Sequence, residues 1–192
     1  ANDLGNLLSR TVSMVGKYFG GTLPAQQQED AEKDGELLAM LASLRDRYQE
    51  QMDKFAFQNA LSEVFKVIDR ANKYIDENLP WVLAKDMEAN GPRLARVMYN
   101  LLESIRISAV LLRPFMPSTC EKIFAQVGAG SEAQSWASAG TWGVLPADVA
   151  VKRGENLFPR IDTDKALQEL EQAAAAARKA ALPELEVEPQ LT

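Results

Sequence analysis

Apolar side chains recur at steps of three and four residues along most of the chain, the period that lines one face of an α-helix. Leu4, Leu7, Leu8, Val12, Val15 and Phe19 mark such a face over Asn2–Phe19, and Gly20-Gly21 ends it. Leu37, Leu38, Leu41, Leu44, Tyr48 and Met52 predict a second helix over 36–52, and Leu61, Val64, Ile68, Ala71 and Ile75 a third over 56–76. So short a link between them predicts antiparallel neighbours. Residues 22–35, rich in Pro, Gln, Asp and Glu and without a period, read as a connection. Pro80 forbids a simple continuation of the third helix, because it has no amide proton and pushes Leu79 toward extended geometry. Leu79-Pro80-Trp81 is therefore expected to be a rigid bend with Trp81 on its rim. A helical turn over 82–86 follows. Asn90-Gly91-Pro92 then places a proline at the first position of the longest apolar helix, 93–113, whose face is Leu94, Val97, Leu101, Ile105, Ala109 and Leu112. Pro114 and Pro117 break it, and Ser118 or Thr119 can cap a fifth helix over 118–127 that ends at Gly128.

From residue 129 to 162 the pattern changes to Gly, Ser, Trp and Pro. Trp136, Trp142, Leu145 and Phe158 lie there, and burying each favours an ordered segment by roughly 1.5–3 kcal/mol. Asp162-Thr163-Asp164 caps a last helix through Leu182, whose alanine run has strong helix propensity and little to bury. The acidic, proline-bounded tail 183–192 reads as an interdomain linker. The expected organisation is a helical bundle over 1–128, an ordered loop segment over 129–162, and a C-terminal helix with acidic linker over 163–192.

Composition narrows the chemistry more than the fold. The 192 residues are 46% hydrophobic and 25% charged, enough for one sizeable domain and a tail. No apolar run approaches the roughly 20 residues that span a bilayer, and the first residues lack the order of a signal peptide. They carry no initiator methionine and read as helix at once, so a piece of a longer protein is expected. The net charge of −6 argues against nucleic-acid binding driven by bulk charge, although a local basic patch stays open. Histidine is absent and Cys120 is the single cysteine, which excludes a zinc site or a histidine relay within this chain. Gly128-Ala129-Gly130-Ser131 lacks the lysine of a phosphate loop, and Asp69, Asp76 and Glu77 read as a solvated helix face rather than an acid/base pair. No catalytic or metal-binding residue is expected. Two features stay ambiguous on the residues alone. Trp81 is either a plug for the end of the bundle, which residue statistics favour, or an exposed stacking platform. Asn6 and Arg10, four apart on one helix face, are either an ordinary solvated pair, which their spacing favours, or an amide and a guanidinium aimed at one ligand.

Four stretches taken together go further: Asp3-Leu4-Gly5-Asn6-Leu7-Leu8-Ser9-Arg10, Asn72-Lys73-Tyr74-Ile75-Asp76-Glu77 with Pro80-Trp81, Leu112-Arg113-Pro114-Phe115-Met116-Pro117, and Leu157-Phe158-Pro159-Arg160-Ile161. Their order and spacing resemble the C-terminal half of bacterial methionyl-tRNA synthetases over nearly the whole chain. The resemblance implies an all-α fold, the five-helix anticodon-binding bundle of class I aminoacyl-tRNA synthetases, with a loop-rich segment returning toward the catalytic half and a C-terminal helix. It implies recognition of the CAU anticodon of methionine tRNA within an enzyme that attaches methionine to that tRNA using ATP. The counterparts of Asn6, Arg10 and Trp81 meet the anticodon bases in that family, and the residue types match at all three. Pro80, Asn72 and Lys73 are candidate supporting residues, with Arg70 and Lys73 as sources of local positive charge. The catalytic signatures and zinc insertion would lie before Ala1, so this chain alone is expected to be inactive and to hold no cofactor. ATP with Mg, and zinc, would belong to the parent enzyme. The implied partners are methionine tRNA and the catalytic domain of the same polypeptide, in the cytoplasm with no membrane, and a homodimer through an appended C-terminal tRNA-binding domain. Two alternatives remain, a helical protein-interaction or assembly domain and the anticodon domain of another class I synthetase. Convergence of Trp81, Asn6 and Arg10 on one surface separates binding from assembly.

Overall fold

Each periodic stretch folds as a helix, and the longest of them becomes the axis of the bundle. The computed structural model describes residues 2–159 and 162–181. In chain order the helices are α1 (Asn2–Phe19), α2 (Ala31–Asp53), α3 (Phe57–Asn78), α4 (Pro80–Leu83), α5 (Met87–Leu112), α6 (Pro117–Val127) and α7 (Thr163–Ala181). The five expected long helices of the bundle are all present, and the helical turn expected over 82–86 falls two residues earlier, as the four-residue α4 that starts on Pro80. Among the described residues no strand forms, and a single antiparallel bridge pairs Thr22 with Ala150. The chain divides into two units at Phe158. The second unit, from Pro159 onward, is described only through α7; the end of the last helix at Leu182 and the linker 183–192 lie outside the described residues.

α5 is buried on every side from Arg93 to Leu112, because α1, α2, α3 and α6 all pack against it. Leu7, Leu41, Val64, Ile68, Leu101, Ile105 and Ile123 meet in one continuous core. Burial of α5 on all faces also takes in polar residues, whose burial is costly unless they are paired; most find partners, although the Ser108 hydroxyl does not. Arg106 and Glu103, both fully buried, solve this for the irregular segment that follows α6. Arg106 bonds Glu103 at 2.8 and 3.0 Å and donates to the carbonyls of Ala133, Ser138 and Thr141. Glu103 accepts in turn from the backbone N–H groups of Gly143 and Leu145. A segment with few backbone bonds of its own is thereby held on the bundle, with Leu145 and Val149 in the core.

Several boundaries depart from the expectations. α2 starts at Ala31 because Asp30 caps it, accepting from the N–H of Lys33, while Asp34 accepts from the N–H of Asp30. The supposed connection 22–35 is therefore shorter, and Leu23 within it is buried. Pro92 lies inside α5 rather than at its start, because Asp86 caps the helix at Met87 by accepting from the N–H of Ala89 at 3.0 Å. A proline this near the N-terminus removes one intrahelical bond, which the surrounding packing outweighs. α6 begins at Pro117 behind Met116, with no side-chain cap from Ser118 or Thr119. Trp136 remains 46% exposed, leaning on Tyr48 with ring centroids 6.0 Å apart, whereas Trp142 is half-buried against Tyr99 and under Arg96.

Candidate functional site

The corner after α3 is built by two residues with opposite backbone properties. Leu79 turns left-handed at φ 47° and ψ 60° while its N–H still reaches the carbonyl of Ile75 at 3.0 Å. Pro80 lacks the N–H that a first helical position leaves unpaired anyway, so α4 starts on it. Val82 and Leu83 then donate back to the carbonyl of Leu79, at 2.7 and 3.2 Å. A left-handed leucine costs roughly 1–2 kcal/mol, so the surroundings must hold it in place. The side chains divide accordingly. Pro80 is buried, while Leu79, Trp81 and Val82 are 41, 44 and 45% exposed. Trp81 is not a plug; it stands out from the end of the bundle.

A buried polar hub holds the corner from below. Asn78, the last residue of α3, accepts from Arg93 at 2.6 Å and donates to the carbonyl of Tyr74. Arg93 grips Asp34 with two nitrogens at 2.7 and 2.8 Å, the fork geometry that makes arginine–carboxylate pairs strong. Tyr74 donates to Asp34 at 2.5 Å and accepts from Asn100. Burial alone would raise the Asp34 carboxyl, but the bonds from Arg93 and Tyr74 overcome it and hold the group below the usual carboxylate range. Burial, and then the Asp34 carboxylate, push the Tyr74 phenol up. The first turn of α2, the last turn of α3 and the start of α5 thus close on one guanidinium.

α1 lies alongside α3. Asn72 donates to the carbonyl of Asp3 at 3.3 Å, and Arg10 pairs with Asp76 at 3.2 Å. Both contacts step the same way along the two helices, so Arg10 reaches the turn of α3 that precedes the bend. Asn6, one helical turn before Arg10, is exposed, and among the described residues its side chain makes no hydrogen bond. Lys73 is exposed and shares Glu77 at 3.5 Å. Arg70 is not a source of surface charge: it is 8% exposed and lies 2.7 Å from Glu36 and 2.8 Å from Glu77, although its Nε makes no hydrogen bond. The hub carries no local signal in the sequence, because Asp34, Tyr74 and Asn78 lie 59, 19 and 15 residues from Arg93 and meet it only through helix packing. Burial pushes the Cys120 thiol up to about 11, which keeps it a small uncharged core residue. Among the described residues no metal-binding cluster is found, and no helix is long and apolar enough to cross a membrane.

Comparison with known proteins adds what geometry alone does not. Residues 23–179 match the family described as the anticodon binding domain of methionyl tRNA ligase. The methionine–tRNA ligase of Caldanaerobacter subterraneus subsp. tengcongensis is 51% identical over 171 residues, which cover 89% of this chain and 26% of that protein. That of Bacillus subtilis is 46% identical over 166 residues, 86% of this chain and 25% of the other. Among solved structures, Mycobacterium tuberculosis methionyl-tRNA synthetase bound by methionyl-adenylate is similar at a TM-score of 0.75 and 35% identity, covering 83% of this chain and 31% of that one. The chain spans about a quarter of the length of the curated relatives it matches.

Proposed function

Because this chain belongs to the family of methionyl-tRNA ligase anticodon-binding domains, we propose that Trp81, Arg10 and Asn6 form the surface on which it reads the CAU anticodon of methionine tRNA. The observation that carries the reading is the exposure of Trp81 on a corner held by buried bonds, next to the turn of α3 that Arg10 reaches. Single-stranded bases can splay out of an anticodon loop and stack on an aromatic face, each stack contributing about 1–3 kcal/mol. A platform that does not move on binding loses little entropy in doing so. The Asn6 amide offers a donor and an acceptor to a base edge, and the Arg10 guanidinium a planar fork, once it exchanges Asp76 for the base. Pro80 stiffens the corner, Asn72 ties α1 to α3, and Lys73 adds charge toward the RNA backbone.

The longer polypeptide that contains this chain attaches methionine to its tRNA with ATP, and the catalytic portion and any ATP, Mg or zinc sites lie outside these residues. The family match favours this reading over a helical assembly domain and over the anticodon domain of another class I synthetase. In that polypeptide, Trp81→Ala is expected to lower aminoacylation of methionine tRNA at least about tenfold while leaving methionyl-adenylate formation unchanged, since adenylate chemistry uses no anticodon. Equal losses in both assays would mark a folding defect; no loss in either would remove Trp81 from the site.

A further inference from the structure

Stability alone does not call for the hub beneath the corner. Asp34, Tyr74, Asn78, Arg93 and Asn100 are all buried. Removing one of them strands the others, but replacing a whole buried ionic network by well-packed apolar residues is often neutral or stabilising. The network is also incomplete: among the described residues the buried carboxamide oxygen of Asn100 has no hydrogen-bond partner. What such a network does supply is geometry, because each of its bonds has a direction that an apolar contact lacks. Those directions converge on the residue beside the turn. One terminal nitrogen of Arg93 meets Asp34 and the carbonyl of Gln28 at 2.8 and 3.4 Å, and the other meets Asp34 and Asn78 at 2.7 and 2.6 Å. The Gln28 N–H donates to the carbonyl of Pro92 at 2.9 Å, so the chain before α2 is tied twice to the start of α5. Asn78 is held at both ends of its carboxamide, by Arg93 and by the Tyr74 carbonyl, and the next residue is the left-handed Leu79. A lysine would keep the charge at residue 93 and lose the planar fork that spans these acceptors.

We propose that Arg93 is a positioning residue for tRNA recognition, an inference that rests on the reading of Trp81 as a stacking platform. Gripped by Asp34, Arg93 fixes Asn78 and with it the Leu79 turn, and so sets where the Trp81 indole stands before tRNA arrives. It acts through Asn78 and Leu79 and not by touching a nucleotide. A leucine has lower-energy backbone conformations than the left-handed one, and each of them would carry the indole elsewhere. The hub excludes them. Its loss therefore falls on tRNA binding, which must then order the corner as well, and leaves the adenylate chemistry alone.

The test uses the methionine ligase that contains this chain, assayed well below its melting temperature. Arg93→Lys is expected to raise KM for methionine tRNA about tenfold, with kcat and adenylate formation unchanged. In a Trp81→Ala background the same substitution should add less than about twofold, because residues that act through one another are not additive. Arg106→Lys, which disturbs the other buried pair of α5 about 20 Å along the helix, should lower the melting temperature and leave KM unchanged. An apolar hub, Asp34→Leu with Tyr74→Phe, Asn78→Leu, Arg93→Met and Asn100→Leu, should melt no lower than the parent and still show the raised KM. If it fails to fold, Arg93→Lys and the Trp81→Ala background decide. Unchanged KM in Arg93→Lys overturns the proposal. So does a tenfold rise that persists beside Trp81→Ala, which would mean that Arg93 acts on tRNA by another route. An equal rise in Arg106→Lys also overturns it, since the effect would then be lost stability. A silent Trp81→Ala would remove Trp81 from anticodon reading, and the placement of its indole is then judged by fluorescence with Trp136→Phe and Trp142→Phe in place. Lower anisotropy of Trp81 in Arg93→Lys supports the positioning role, and unchanged anisotropy overturns it.

Discussion

A stacked indole, a hydrogen-bonded guanidinium and a solvated ammonium differ in what their loss removes. Asn6→Ala or Arg10→Ala is expected to cost about 1–3 kcal/mol for the cognate anticodon and far less for a mismatched one, which never made the bond. Lys73→Ala should weaken cognate and non-cognate tRNA alike and flatten the salt dependence, as the loss of a backbone charge does. Aminoacylation efficiency of the parent ligase on CAU and single-base variants separates the two patterns; an unchanged cognate-to-mutant ratio for Asn6→Ala and Arg10→Ala would remove both from base reading. Asn78 is a different kind of residue, because its carboxamide bonds only inside the protein. Asn78→Ala strips a buried acceptor from Arg93 and is expected to cost about 1–3 kcal/mol in urea unfolding. As candidate contacts, Asn6, Arg10 and Trp81 stand out in the sequence only through the family resemblance. Asn78 and Arg93 carry no local pattern at all.

At the scale of elements, the helices follow from periodicity, and the segment after α6 depends on two charges in α5. Breaking a buried pair strands the other charge, so Arg106→Met is expected to destabilise by about 3–5 kcal/mol. Amides between Ala133 and Leu145 should exchange faster than those of α3 in the same variant, because they lose the carbonyl anchors and the Glu103 acceptor together. Uniform loss of protection would instead mean that this segment and the bundle unfold as one. The start of α2 shows where periodicity stops: Asp30 caps it and its first turn carries Glu32 and Asp34 rather than apolar residues, so only its capping bonds announce it.

For the whole first unit, two sets of groups set the pH range of stability. Asp34 has a lower pKa folded than its ordinary value of 3.8, so its contribution is present above about pH 4 and is lost as pH falls through the folded value. Tyr99, pushed up to about 12 by burial and then by Glu103, and Tyr74, also raised, behave oppositely. Their contribution is complete below the ordinary phenol value of 10.0 and is lost as pH rises beyond it. Urea midpoints should therefore fall below pH 4 and above pH 10, and Tyr99→Phe should reduce the alkaline loss; an equal alkaline loss in Tyr99→Phe would assign it to other groups.

The sequence by itself determined where helices form, where Pro80 breaks the chain and which residue types stand at the bend, because helix period and proline geometry act over a few residues. Whether Trp81 is covered or open was decided only in three dimensions. A residue beyond a helix end has no periodic face, and its exposure depends on what its neighbours bury: here Pro80 and Asn78 turn inward and leave the indole outside. The charge reading of Arg70 failed for the same reason, since Glu36 comes from another helix. The hub and the bond from Gly154 to Gln126 depend wholly on tertiary structure. Arg93 meets Asp34 across 59 residues and Gln126 meets Gly154 across 28, and such meetings arise from packing helices around α5 rather than from any spacing along the chain.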